Sequence, residues 1–184
     1  MSDNTMSEIK QLSTKVVYHN NWMTVREDQV VRPSGAEGIY GVVDKPHFVV
    51  IVPYENGNVH LVEQYRYPVN QRFWEFPQGS WEEESSKEPL QVAQGELKEE
   101  TGLIAGQMTY VGFQYQGYGY SSQGYHIYLA TGLTRGKREL EAEEEDLVSS
   151  EFTLEEFEMM LVNGQIKDAT TTCAYSLVKL KQLI

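Results

Sequence analysis

Glu96, Glu99 and Glu100 are spaced i, i+3, i+4, so a helix through them carries three carboxylates on one face within about one turn. Like charges at this spacing destabilise an isolated helix by roughly 0.2–0.5 kcal/mol per pair, and something should offset that repulsion. A hard divalent cation would do so, because Mg²⁺ takes oxygen ligands: one or two carboxylates, completed by water and substrate phosphates. A Glu-rich face turned to solvent is the plain alternative, and spacing alone does not choose between them.

The charge of the chain is concentrated in the same way. Of 27 acidic residues, seven lie in residues 82–100 and six in residues 139–146, while the formal net charge is −12. A nearly neutral chain with two acidic patches points to sites that gather cations. The patches repel nucleic-acid backbones and no Lys/Arg-rich stripe compensates, so nucleic-acid binding through a basic surface is disfavoured. The length suits one domain, or one domain with an appendage, and is enough to bury a core. The single cysteine, Cys173, excludes an intramolecular disulfide and a Cys-based zinc site. No apolar run has the length of a membrane span, and the expectation is a cytoplasmic protein. His19, His47, His60 and His126 lie in or beside strand patterns without ligand spacing and read as structural.

The elements that must position these residues follow from the pattern. From Lys15 to Gln64, short β-branched and aromatic runs (KVVYH, WMTVREDQVV, IYGVV, HFVVIVPY, NVHLVEQYRY) alternate with turn signals and predict antiparallel hairpins. The Asn56-Gly57 turn is the strongest of these signals. A helix is predicted over Ser86–Thr101, with Pro89 in its first turn and Gly102 as the terminating glycine. Strands resume at TYVGFQYQ and YHIYLATGL, separated by a loop at 117–124. Helices follow over Thr153–Val162 and from about Asp168, a candidate N-cap, to Leu183. This order describes an α+β sandwich.

The stretch from Gly79 to Leu103, with its run GELKEETGL, resembles the Nudix box, and Glu96, Leu97, Glu99, Glu100, Gly102 and Leu103 fall on the second half of that motif. LVEQYRYP and WEFPQG resemble the lead-in of the ADP-ribose and nucleoside-diphosphate-sugar pyrophosphatase branch, and the similarity covers about Phe48 to Cys173. Three positions depart from the motif. Gly95 stands where the family has an Arg that orients a catalytic glutamate, Lys87 stands at its first Glu, and the spacing from Gly79 is two residues longer. Gly95 inside a helix costs roughly 1 kcal/mol relative to Ala.

The resemblance implies an α/β/α sandwich with a mixed sheet, residues 46–184, preceded by an N-terminal strand subdomain, residues 1–45. It implies Mg²⁺-dependent hydrolysis of the diphosphate of a nucleoside-diphosphate sugar or ADP-ribose, giving a nucleoside monophosphate and a sugar phosphate, with Mn²⁺ as a possible substitute ion. Glu96, Glu99, Glu100 and the Gly79 carbonyl are the implied metal ligands, with Glu99 and Glu100 counted as catalytic. A general base is expected on the later acidic run EAEEEDL, Glu143 first and Glu145 second; a solvated acidic loop is the alternative. Arg66 is the expected phosphate contact, against an ordinary strand-end salt bridge. Tyr118 and Tyr120 could stack on a nucleobase. Gln123 stands in the place where related pyrophosphatases commonly carry a glutamate, and with Arg66, Tyr118 and Tyr120 it is an expected substrate-binding residue.

In the resembled branch, the N-terminal strands cross to a second protomer, so a homodimer is expected. Rival readings are hydrolysis of dinucleoside polyphosphates or oxidised nucleoside triphosphates, and a non-catalytic Nudix-fold module that senses nucleotides.

Overall fold

The apolar runs of the first 46 residues pair as an antiparallel sheet in the order β1 (Lys10–His19), β2 (Thr24–Val31), β3 (Glu37–Asp44). The first turn is built by Asn20, whose Oδ1 accepts from the backbone N–H groups of Trp22 (2.9 Å) and Met23 (2.8 Å). The second uses Gly35 at φ 82°, a left-handed conformation that glycine adopts without a Cβ penalty. β1 begins five residues before the sequence pattern predicts, because pairing with β2 carries the polar KQLST stretch into register at Lys10↔Val31. The structure is a computed structural model that describes residues 8–80, 87–138 and 146–184. It divides into two units, Met1–Pro46 with Tyr115–Gly124, and His47–Gln114 with Tyr125–Ile184.

The second unit holds a mixed sheet in the order β10 (Val148–Thr153), β5 (Asn58–Arg66), β4 (Phe48–Glu55), β9 (Gly124–Arg135), β8 (Leu103–Tyr115). Two short strands attach to it: β6 (Gln71–Glu75) on β5 and β7 (Gln78–Gly79) on β4. β4 and β5 meet at the predicted Asn56-Gly57 turn, where both residues have positive φ, 50° and 85°. β4 runs parallel to β9, with Phe48↔Tyr125 and Val52↔Leu129 in register. β8 is longer than the TYVGFQYQ pattern, starting directly after Gly102.

Alternation along β4 and β9 explains the layers. Val50, Val52, Ile127 and Leu129 face a core completed by Phe157 and Met160 of α2 (Leu154–Val162) and by Ala174 and Val178 of α3 (Ala169–Leu180). Val49, Ile51, Tyr128 and Ala130 face the opposite way, onto Ala93 and Leu97 of α1 (Pro89–Thr101). This is the expected α+β sandwich with a mixed sheet and an N-terminal antiparallel sheet. Each helix starts close to its predicted signal. Pro89 opens α1, Thr153 caps α2 by accepting from Glu156 N, and Asp168 caps α3 by accepting from Thr170 N and Thr171 N. The third helix ends at Leu180 and not at Leu183, because the chain turns left-handed at Gln182, φ 54°. Among the described residues no helix is long and apolar enough to cross a membrane.

Candidate active site

α1 packs Ala93, Glu96, Leu97 and Glu100 against the sheet. Two carboxylates therefore share the buried stripe with the apolar anchors: Glu96 is 6% exposed and Glu100 0%. A Glu-rich face turned to solvent is excluded for this pair. Burying a carboxylate is costly unless hydrogen bonds, opposite charge or a metal compensate it. The C-terminal end of the helix is fixed by Gly102, at φ 73°, whose N–H returns to Lys98 O at 2.8 Å.

What faces these carboxylates is the short strand β7. Gln78 N donates to Glu100 Oε2 at 3.1 Å. Gly79 lies so near Glu96 that a Cβ built on it would sit 2.5–2.6 Å from the carboxylate atoms. β7 is itself held by β4, through Val49↔Gly79 and Val50↔Gln78, and by Ile51 N donating to Pro77 O at 2.9 Å. Its other flank is tied to α3, where Phe76 N donates to Thr171 Oγ1 at 2.9 Å and Gln78 Nε2 donates to Asp168 Oδ2 at 3.2 Å. The WEFPQG run thus spans from β6 to the helix that carries the glutamates.

Arg66, at the end of β5, forms a forked pair with Glu75 of β6: Nη2 to Oε1 and Nε to Oε2. Glu75 is 2% exposed and also accepts from Gln64 Nε2 at 2.9 Å. Burial pushes the Glu75 carboxyl above its ordinary range, and the Arg66 guanidinium opposes that push. Burial works against the charge on Arg66, but Glu75 outweighs it, joined by the charges of Asp168 and Glu100, so Arg66 stays protonated. Arg66 therefore has the strand-end ion pair and also stands in the field of the Glu100–Asp168 side of the site.

The aromatic loop belongs to the first unit. Val43 N donates to Tyr120 O (2.8 Å), Ser121 Oγ to Val43 O (2.7 Å), Ser122 Oγ to Asp44 Oδ1 (2.8 Å) and Tyr40 OH to Gly119 O (2.9 Å). Tyr118 and Tyr120 are exposed. Gln123 is buried, its Nε2 donating to Pro46 O at 2.8 Å, which makes it a brace of this loop. Glu143 and Glu145 lie outside the described residues.

Sequence reasoning missed three members of this arrangement. Glu75 is the buried partner of Arg66, and its signal was a lone acid inside the apolar WEF run. Asp168 was recognised only as a helix cap. Arg138 was not singled out at all, and its Nε donates to Glu100 O at 2.6 Å.

The Glu96 and Glu100 carboxylates, buried beside Gly79 and Gln78, are oxygen donors, the chemistry that Mg²⁺ and Mn²⁺ favour, and Gly79 lies against Glu96 where a residue with a Cβ could not without displacing the carboxylate. Among the described residues no three His, Cys, Asp or Glu side chains stand grouped to hold a metal ion. The fit to a divalent cation rests instead on the two buried carboxylates, whose charge a cation would compensate.

Residues 44–173 match the NUDIX domain, and residues 9–43 match the nucleoside diphosphate sugar hydrolase N-terminal domain. The chain belongs to the Nudix family, in its ADP-ribose and nucleoside-diphosphate-sugar branch. Nudix hydrolases as a family use divalent metal ions. The chain is similar to the ADP-ribose pyrophosphatase of Mycobacterium tuberculosis, at 30% identity over 161 residues, covering 86% of this chain and 77% of that protein. It is similar to the methanol dehydrogenase activator of Bacillus methanolicus at 27% identity over 179 residues, 96% of each chain. The ADP-ribose pyrophosphatase of Bacillus subtilis is 26% identical over the same span. The crystal structure of an ADP compounds hydrolase shares the fold, with TM-score 0.85 at 22% identity over 96% of this chain and 95% of that one.

Proposed function

We propose that this protein is a Mg²⁺-dependent pyrophosphohydrolase that cuts the diphosphate bond of ADP-ribose or a nucleoside-diphosphate sugar, with Mn²⁺ able to replace Mg²⁺. The observation that carries this reading is the burial of Glu96 and Glu100 on the inward face of α1, against Gly79 and Gln78. Two buried carboxylates in a Nudix box have a purpose if a cation meets them, and little otherwise.

Glu96, Glu99, Glu100 and the Gly79 carbonyl would hold the ion. When bound, it neutralises diphosphate charge and lowers the pKa of an attacking water. The chain's own residues do the rest. Gln78 N holds the Glu100 carboxylate in one orientation, and the close approach of Gly79 limits where the Glu96 carboxylate can lie. Glu143, or failing it Glu145, serves as the base that takes the proton from the water. Arg66, already charged and oriented by Glu75, offers its guanidinium edge to a phosphate oxygen. Tyr118 and Tyr120 present ring faces to a nucleobase, on a loop that Gln123 braces.

Residues 1–45 serve as a dimerisation subdomain of a homodimer, and 46–184 as the catalytic domain. Supporting this, β1 is exposed along its whole length and Leu12, Val16, Val17, Tyr18 and Ile39 present apolar surface. A monomeric mass from solution scattering at micromolar protein would remove the dimer. The single cysteine accords with a reducing, cytoplasmic setting.

The deciding experiment measures turnover with Mg²⁺ across ADP-ribose, GDP-mannose, UDP-glucose and a diadenosine polyphosphate, with the products identified. Cleavage of ADP-ribose or a nucleotide sugar to a nucleoside monophosphate and a sugar phosphate is the expected result. Preference for the diadenosine compound overturns the substrate class. Binding of ADP-ribose with no cleavage of any substrate overturns the enzyme reading and leaves the sensing module.

A further inference from the structure

The last carbonyls of a helix lack intrahelical partners and must find others. In α1 the Glu100 carbonyl accepts from Arg138 Nε at 2.6 Å, and the Gly102 carbonyl accepts from Gly136 N at 2.7 Å. The backbone of Arg138 also lies against Gly102, where an added Cβ would stand 3.3 Å from its N and Cβ. The same guanidinium continues to Leu147, with Nη2 donating to Leu147 O at 2.8 Å. Leu147 is 3% exposed, so this second anchor is fixed in the core. One side chain therefore joins the end of the glutamate helix to the residue that follows the acidic span 139–146. It also places a positive charge at the helix C-terminus, where the backbone dipole favours one.

We propose that Arg138 is a positioning residue for the metal site: it locks the last turn of α1, and with it Glu99 and Glu100, by tying the Glu100 carbonyl to the buried Leu147. It touches neither carboxylate nor substrate in this role, and acts through the backbone of Glu100. The Arg fork is required, because Nε and Nη2 reach two carbonyls 47 positions apart, Glu100 O and Leu147 O, which a single Lys ammonium cannot reproduce. This rests on the reading of Glu96, Glu99 and Glu100 as divalent-cation ligands.

The test uses the full-length protein and Mn²⁺ alone as the first probe, its affinity measured by electron paramagnetic resonance, followed by kcat and KM for ADP-ribose at saturating Mg²⁺. Arg138→Met keeps the apolar stem and removes both donors; Arg138→Lys keeps the charge and one donor. Removing support behind metal ligands typically weakens metal affinity by ~10–100-fold, and that range is expected for Arg138→Met, with kcat lowered and KM within about threefold of wild type. Arg138→Lys should fall between, and methylguanidinium in the buffer should restore part of the loss in Arg138→Met. Should Arg138→Met fail to fold by circular dichroism, Arg138→Lys carries the comparison. Wild-type Mn²⁺ affinity and kcat in the folded variants overturn the proposal while leaving the catalytic reading intact. If the wild-type protein itself neither binds Mn²⁺ nor turns substrate over, the catalytic reading falls and this proposal falls with it.

Discussion

Gly79 and Glu96 approach so closely that no methyl group fits between them: a Cβ on Gly79 would lie 2.5 Å from Glu96 Oε2. The obstructing atoms belong to the far end of a flexible side chain and not to backbone. Gly79→Ala should therefore fold, with the Glu96 carboxylate swung aside. The fold is retained and the metal ligand is misplaced, so the expected outcome is a melting temperature close to wild type and a ~10–100-fold loss in Mn²⁺ affinity, with turnover falling in parallel. Calorimetry beside metal titration checks this. A variant with wild-type metal affinity would show that Glu96 does not act from this position.

Glu100 sets function against stability. It is 0% exposed, and its Oε2 accepts from Gln78 N, a bond that a glutamine carbonyl also accepts. Glu100→Gln removes a buried charge and keeps shape, so in metal-free buffer the variant should be as stable as wild type or more stable by about 1 kcal/mol. Its Mg²⁺-dependent turnover should fall by at least ~100-fold, since a ligand's charge is lost and not merely its orientation. Glu99→Gln should lose turnover as well, with a smaller effect on stability because Glu99 is only half-buried. Chemical denaturation with and without Mg²⁺ separates the two effects.

The difference between Glu99 and Glu100 also shows what the sequence could and could not carry. The i, i+3, i+4 spacing and the glycine after the helix placed the three carboxylates on one helix ending, as expected, at Thr101, because helix periodicity and terminating chemistry are local; its start falls at Pro89 and not at Ser86. Which part of that helix points into the core depends on α1 packing Ala93 and Leu97 onto Val49 and Ile51, a contact between residues some 40 positions apart. The short strands β6 and β7 were legible only as a resembled lead-in. With five and two residues they carry too little periodicity, and partners on β5 and β4 define them. The grouping of residues 115–124 with the N-terminal strands was hidden for the same reason: Val43 and Ser121 meet across 78 positions.

The Arg66–Glu75 pair tests burial of charge directly. Glu75 is 2% exposed, so removing Arg66 strands a carboxylate that burial already pushes toward protonation. Arg66 keeps part of its head in solvent, which screens the pair, and Arg66→Ala should cost on the order of 1–3 kcal/mol at neutral pH. A raised folded pKa means the folded state binds more protons than the unfolded one, so the penalty grows as pH rises above the ordinary Glu value and shrinks on acidification toward it. Adding Glu75→Gln to Arg66→Ala should restore most of the stability. A double variant as unstable as the single one would show that Arg66 contributes packing and not charge balance.

Two histidines should govern stability on the acid side of neutrality. Burial lowers the pKa of His60 in β5, with Glu151 opposing and Arg135 assisting, and burial lowers His126, with His47 assisting. His126 packs among Phe113, Tyr110 and His47, ring centroids 4.9, 6.0 and 6.5 Å away, a setting that disfavours charge on its imidazole. Depressed folded pKa values mean that the unfolded chain takes up protons first as pH falls through the ordinary histidine value of 6.5. Stability should be full above that value and decline below it, through the window down to the folded pKa values. Melting temperatures measured from about pH 7.5 to about pH 5.5 should show this decline in wild type and a flatter profile in His60→Gln/His126→Gln. An unchanged slope in the double variant would assign the acid sensitivity to other groups, Glu75 not among them, because its raised folded pKa makes acidification stabilising.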